Sequence, residues 1–415
     1  MALYTWTLST LNDRFRRVDG QLWLFLAGVV LLGITSGIFE TTFNNFLNDT
    51  FNISAEARGQ LEFPRELPGF LVAITAGLLF FLTEMRMAAL SALCTAVGMG
   101  GLALLSPSFG CMMIWMILWS LGNHLIMPLR SSIGLSLARE GRGATRLGQI
   151  GGIGIAATII GAGLVWIGFD YLHFNYTLTF FAGGATALLA SANFLRMRPR
   201  GLSGHQRTKF VFKRRYRLFY LLSALFGARK QVFITFGPWV LIRVFGAPAQ
   251  TIAKLWIVSS VIGIFFRPQL GKAIDRFGER VVLMLDAVLL FGICIGYGFS
   301  QQLGLGERAV YVAYVCYMLD LSLFAVTMAR TTYLHKILEN KDDLTPSLST
   351  GVSIDHAVSM VVPTFGGLIW VHYGYPYVFL CAAGLAVLMF ISASRVREAS
   401  SNKRRPRSRP AKPFR

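Results

Sequence analysis

The sequence predicts an all-α membrane protein, with twelve transmembrane helices in two pseudo-symmetric six-helix bundles. Three observations carry this. Hydrophobic residues make up 54% of the 415 residues and charged residues only 14%, against about 25% charged in a typical soluble domain. Mean hydropathy is +0.54. Apolar runs close to the ~20 residues that a spanning helix needs recur on both sides of one polar, basic segment.

The chain is also strongly basic, with 40 Lys and Arg against 20 Asp and Glu and a net charge of +20. Low charge content and high net charge coexist only where the charge is kept apart from the apolar mass. Disorder is excluded for most of the chain, because disorder needs low hydrophobicity. Basicity alone would suggest nucleic acid, but a soluble nucleic-acid binder would not be this apolar. No nucleic-acid partner is expected.

The first bundle, 1–195, holds spans near 21–43, 67–82, 87–106, 111–134, 148–168 and 176–195. The second, 217–395, holds spans near 217–242, 249–269, 281–299, 309–332, 350–371 and 375–394. The second span is short, and the fourth, tenth and eleventh carry polar residues. The first apolar run is too long for a signal peptide and lacks a small-residue cleavage site. Residues 196–216 read as a basic linker and 396–415 as a disordered basic tail. Both are expected to be drawn to anionic lipid at the bilayer surface.

Lys and Arg in short loops mark the cytoplasmic side. One side carries Arg14, Arg16, Arg17, Arg86, Arg139, Arg142, Arg146, the linker from Arg196 to Arg217, Arg276, Arg280 and the tail around Lys403 to Arg409. The opposite loops hold Arg58, Arg65, Arg243 and Arg308. Both termini and the linker are therefore expected in the cytoplasm, and the protein in the cell membrane. Cys94, Cys111, Cys294, Cys316 and Cys381 fall in or beside apolar runs without a CxxC pair. They read as free, packed thiols, and no metal site is expected.

The halves echo each other. Pro128-Leu129-Arg130-Ser131-Ser132 matches Met328-Ala329-Arg330-Thr331-Thr332, and each then runs to an acid, Glu140 or Glu339. Ala162-Gly163-Leu164-Val165-Trp166 matches Gly366-Gly367-Leu368-Ile369-Trp370. Such repeats are typical of transporters built from related bundles.

The most specific motif follows the eighth span: Gly271-Lys-Ala-Ile-Asp275-Arg276-Phe-Gly278-Glu-Arg280. It resembles the GxxxDRxGxR loop of the major facilitator superfamily, and Pro363-x-x-Gly366-Gly367 is also common there. The first-half counterpart, Gly77 through Glu84 and Arg86, has Phe81 at the aspartate position. The fifth span has Ile159 where an antiporter-type proline would stand, which argues against export. The resemblance implies a monomeric secondary transporter working by alternating access, with a proton as coupling ion. It also implies a conformational latch of Gly271, Asp275, Arg276, Gly278 and Arg280, with a static turn as the alternative; the repeat symmetry of Arg130 and Arg330 suggests latch pairs with Glu84 and Asp275.

Charges inside spans are costly, by about 2.5–3.5 kcal/mol on insertion scales, and normally face a cavity or a partner. Arg229 and Lys230 lie about 16 Å into the seventh span at about 1.5 Å per residue. Asp320 in the tenth span is placed to neutralise one of them. Two cations facing one acid leave a surplus for a ligand carboxylate or phosphate. Arg229, Lys230, Asp320, Asn123, His124 and Tyr317 form the candidate substrate-binding set. A mid-span histidine such as His124 is alternatively a hydrogen-bonded packing residue. Glu40 reads either as a proton carrier or as a gate with Arg65 or Lys254. Asp355-His356 reads as a proton relay or as a helix cap.

There is no GxxxxGK[ST] phosphate loop, and His173, His205, His335 and His372 are scattered. Neither ATP hydrolysis nor an enzyme is indicated, and no cofactor is expected. The sequence supports secondary transport of a small solute bearing an anionic group. Efflux of amphipathic or cationic compounds and lipid transport on the same scaffold are the alternatives.

Overall fold

Long apolar stretches must satisfy their backbone groups internally in lipid, which favours helices. The computed structural model describes residues 20–79, 81–138, 143–198, 212–340 and 343–396, and all regular structure among them is helical. Arg14, Arg16, Arg17, Arg139, Glu140, Arg142, most of the expected linker and the expected tail lie outside the described residues.

The first half contains α1 (Gly20–Phe51), α2 (Ala55–Gln60), α3 (Glu62–Phe70), α4 (Val72–Leu78), α5 (Glu84–Leu104), α6 (Phe109–Ser136), α7 (Gly143–Tyr171) and α8 (Tyr176–Leu195). The second contains α9 (Arg217–Arg243), α10 (Ala249–Phe299), α11 (Ala309–Leu323), α12 (Thr327–Ile337), α13 (Leu344–Tyr373) and α14 (Tyr375–Ser394). Polar residues set several starts. Ser54, Thr83, Ser108 and Asn175 each accept a hydrogen bond from a backbone N–H in the first turn of the helix that follows.

Nine helical stretches among the described residues are long and apolar enough to cross a membrane. One of the nine holds the eighth and ninth expected spans together, and the second and seventh fall outside the nine. The second was expected at 67–82, but helix begins at Ala55 and runs as three short pieces broken at Leu61 and Leu71. Glu62, Arg65 and Glu66, which precede the expected span, are buried inside it. The seventh, α9, carries Arg229 and Lys230 at mid-length. The eighth and ninth form one continuous stretch, α10, interrupted only where Gly278 adopts φ 82°, ψ 163°. Side-chain-bearing residues rarely take that backbone, so the motif glycine makes the corner. The tenth is α11 and α12 joined by the tighter turn Phe324–Val326.

In the first half, α1 packs on α7 and α8, and α5 on α6 and α8. In the second, α9 packs on α13, and α10 on α11 and α14. Small residues let backbones touch. A Cβ on Gly161 would meet the Ile34 carbonyl of α1, and one on Gly37 the Thr158 carbonyl of α7.

The connections alternate between two ends, and the end carrying residues 52–54, 172–175 and 244–248 is here called the far end. Contacts between the halves run from mid-depth to the far end: α13 on α2 and α3, and α10 on α7. Hydrogen bonds between residues 20–198 and 212–396 follow the same distribution. Asn45 donates to the Ala247 carbonyl at 2.9 Å. Arg243 donates to Asn48 and Asn52 at 2.9 and 2.6 Å. Lys254 pairs with Asp170 at 2.6 Å. Among the described residues, no hydrogen bond or ion pair joins the halves at the near end. There the end of the linker is tied to its own half: Lys213 and Tyr216 donate to Asp343 at 2.6 and 2.7 Å. The Lys213 ammonium holds that carboxyl below the usual carboxylate range.

Gly161→Ala is expected to destabilise the protein by about 1–3 kcal/mol, because the added methyl meets backbone. Gly163→Ala, two residues away with nothing near its Cβ, is expected to leave stability unchanged or slightly raised. Thermal unfolding in detergent measures both.

Candidate functional site

Positions 25, 29, 32, 36, 40 and 44 recur at three- and four-residue steps, which puts them on one stripe of α1. That stripe forms a wall of a cavity of about 550 Å³ between the halves. The stripe turns polar toward the far end, through Ser36, Glu40 and Asn44. The first half adds Asn123 and Arg130, and the second Lys230, Arg267, Tyr317 and Asp320, with Phe233, Trp256 and Phe324 among the aromatic surfaces.

Adjacent residues on a helix point about 100° apart, and this separates the two α9 cations. Lys230 reaches the cavity and donates to Asp355 at 2.6 Å, while Ser359 donates to the same carboxylate oxygen at 3.2 Å. Arg229 is 1% exposed and is not on the cavity wall. It pairs with Asp320 at 2.8 Å and lies 5.0 Å from the Phe324 ring centre. Of the two cations expected to face Asp320, Arg229 is the one it neutralises; Arg229 is therefore turned into the bundle and its place in the substrate-binding set is corrected. Asp355, expected as a relay with His356, is instead the counter-ion of Lys230.

Toward the far end, Glu62 is fully buried and holds two guanidiniums, Arg58 at 2.5 Å and Arg65 at 2.6 Å. It also accepts from Gln231 of α9 at 2.6 Å. Arg65 continues to Glu66 at 3.0 Å, and Glu66 meets His356 Nδ1 of α13 at 2.9 Å. His124 Nε2 lies 4.0 Å from Glu66, so His124 belongs to this cluster and not to the cavity wall, a second correction to the substrate-binding set.

The expected gate pairs of Glu40 are not formed. Arg65 is taken by Glu62 and Glu66, and Lys254 by Asp170. Glu40 faces the cavity without a hydrogen bond or ion pair among the described residues.

The expected latch pairs are not formed either. Glu84 accepts from Ser132 at 2.6 Å, while Arg130 lies on the cavity wall. Arg330 donates to Thr327 at 2.7 Å and lies 3.9 Å from the Phe226 ring centre. Asp275, Arg276 and Arg280 are exposed, and Gly271 has open space around it. The corner at Gly278 instead buries Glu279, which pairs with Lys336 of α12 at 2.8 Å.

Sequence reasoning missed Asp286. It is 2% exposed, and its Oδ1 has no hydrogen-bond partner among the described residues. Its signal was available, as the sole charge in the apolar run 281–299.

Residues 66–345 match the sequence profile of the Major Facilitator Superfamily. Comparison with curated proteins finds no significant match. Among solved structures, the nucleoside transporter NupG superposes with a TM-score of 0.72 at 14% identity, covering 90% of this chain and 98% of that one. The inward open xylose transporter XylE from E. coli gives 0.68 at 15% identity, covering 92% and 96%. A bacterial homologue of the human lysosomal transporter Spinster, inward-facing and occupied, gives 0.70 at 14% identity, covering 91% and 96%. At these identities the likeness is one of fold. The matched profile spans more than half of the sequence, and the chain belongs to the Major Facilitator Superfamily, as a multi-pass membrane transporter.

Proposed function

We propose that the protein moves a small solute bearing an anionic group, with a proton as the coupling ion. The observation that carries this is the charge balance of the cavity wall. Its cations are Arg130, Lys230 and Arg267, and its acids are Glu40 and Asp320. Asp320 is committed to Arg229, and Lys230 to Asp355. That leaves Arg130 and Arg267, one from each half and neither with a carboxylate partner among the described residues, against Glu40 alone. Guanidiniums bind carboxylate and phosphate oxygens with two parallel donors, and a ligand between them would engage both halves at once. Glu40, which no ion pair holds among the described residues, is the proton-carrying candidate.

We further propose 1–195 and 217–395 as the two moving bundles, with 196–216 as linker and 396–415 as tail. The working unit is a monomer in the cell membrane with cytoplasmic termini. The cavity is then open inward, because the contacts between halves run from mid-depth to the far end. The competing solute class, cationic or amphipathic compounds, is favoured by one observation, the unpaired Glu40.

Binding of a panel of carboxylates, phosphates, neutral sugars, nucleosides and organic cations to purified protein separates these readings. Arg130→Gln and Arg267→Gln are each expected to weaken binding of an anionic hit about 10–100-fold, the worth of a hydrogen bond to a charged group at about 1.5–3 kcal/mol. Unchanged binding in both variants, or hits confined to cations that Glu40→Gln abolishes, would overturn the anionic reading.

Arg229 has a different role, as a counter-ion. Asp320→Asn is expected to cost about 3–5 kcal/mol, by leaving a buried guanidinium unanswered. The double variant Arg229→Met with Asp320→Leu is expected to recover most of that loss in a thermal unfolding assay.

A further inference from the structure

Glu66, His124 and His356 do not line the transport cavity, yet one ligand atom from each lies within 4.8 Å of the other two. We propose that they form a binding site for a divalent transition-metal ion of the zinc, cobalt, nickel and copper type, bridging α3 and α6 of the first half to α13 of the second.

The hydrogen bonds around His124 determine its tautomer. Ser120 Oγ gives its proton to the Arg65 carbonyl. The two Ser120 oxygens beside His124 Nδ1, at 2.9 and 3.0 Å, are therefore both acceptors. Nδ1 must carry a proton, and in the neutral ring Nε2 presents a lone pair. That lone pair faces Glu66 Oε2, another acceptor, across 4.0 Å. His356 Nδ1 meets the same oxygen at 2.9 Å. Metal–nitrogen and metal–oxygen bonds of about 2.0–2.1 Å in tetrahedral geometry place neighbouring donors about 3.3 Å apart. The observed 2.9 and 4.0 Å bracket that value.

The surroundings are those of a metal site. A backbone carbonyl holds the protonated nitrogen of His124, and Arg65 holds the other oxygen of Glu66 at 3.0 Å. Such outer partners fix ligand orientation. Gly69 leaves room for both rings, since a Cβ there would press on His124 and on His356 Cε1. The rings themselves meet edge to face, with centres 5.1 Å apart. Two imidazoles and one carboxylate suit zinc-like ions and not the all-oxygen shells of magnesium or calcium.

The test uses the full-length protein in detergent, stripped of metal and titrated with Zn²⁺ and Co²⁺, with Mg²⁺ and Ca²⁺ as controls. The expected result is one equivalent of Zn²⁺ bound, visible d–d absorption on adding Co²⁺, and a raised unfolding temperature that the controls do not reproduce. His124→Gln and His356→Gln are each expected to weaken binding more than about tenfold, beyond what an orienting partner alone provides at its lower edge. Ser120→Ala, which keeps the carbonyl, is expected to retain binding. Should the histidine variants not fold, nitrogen hyperfine structure from two imidazoles in the Cu²⁺ spectrum of the unaltered protein decides the point. Absence of Co²⁺ absorption and of Zn²⁺ stabilisation in the unaltered protein, or equal stabilisation by Mg²⁺, would overturn the proposal and leave a proton as the only cation the cluster holds. No outcome depends on the identity of the transported solute.

Discussion

Glu62 is fully buried, and two guanidiniums and an amide converge on its two oxygens. An isolated charge moved to such a place is costly, and it persists only when it is paired and hydrogen-bonded. Much else follows from that constraint. Arg58 and Arg65 are buried because Glu62 answers them. Arg65 then has a free edge for Glu66, and Glu66 one for His356. The chain of pairing draws residues 55–70 inward as broken helix, where their charge pattern alone reads as an exposed entrance.

The same constraint explains what was legible in the sequence. Long apolar helices announce themselves by composition, because lipid leaves the backbone few alternatives. The second span did not, since its interior carries four buried charges, Arg58, Glu62, Arg65 and Glu66, that pair chiefly with one another. Arg229 and Lys230 stood out as mid-span cations on different faces, about 100° apart, but that Asp320 answers Arg229 and Asp355 answers Lys230 depends on packing. The Glu66–His356 contact joins residues 290 positions apart, and only packing of α3 against α13 brings them together. Gly278 was readable as a loop glycine. That it interrupts one continuous helical stretch, and buries Glu279 while leaving Asp275 exposed, depends on the direction of the corner.

Cavity and seal are two parts of one arrangement. The α1 stripe runs from Phe25 to Asn44, nineteen residues or about 28 Å at about 1.5 Å per residue, and the cavity follows it. Toward the near end its walls carry Arg130 and Arg267, and no polar contact among the described residues joins the halves there. From mid-depth to the far end, α2 and α3 lie against α13, with Gly59 on Pro363 and Gly367 on Ala55. Substituting any of these glycines would push the halves apart at the place where they must close.

Access to the cavity from the far end would require that seal to open, and the distribution of ion pairs bears on its cost. Arg58, Glu62, Arg65 and Glu66 pair within the first half. Arg229 with Asp320, Lys230 with Asp355 and Lys336 with Glu279 pair within the second. Among the described residues only two ion pairs cross: Lys254 with Asp170, where the lysine is 43% exposed, and His356 with Glu66, where the charge depends on a proton or a metal. The other crossing bonds use amide side chains or a backbone carbonyl as one partner. Breaking a buried ion pair leaves an unanswered charge, at about 3–5 kcal/mol, whereas an exposed pair is worth about 0–1 kcal/mol. Segregating the strong pairs inside each half lets the halves separate while nearly every buried charge keeps its partner. The exception is His356, which would lose Glu66 while Glu66 keeps Arg65.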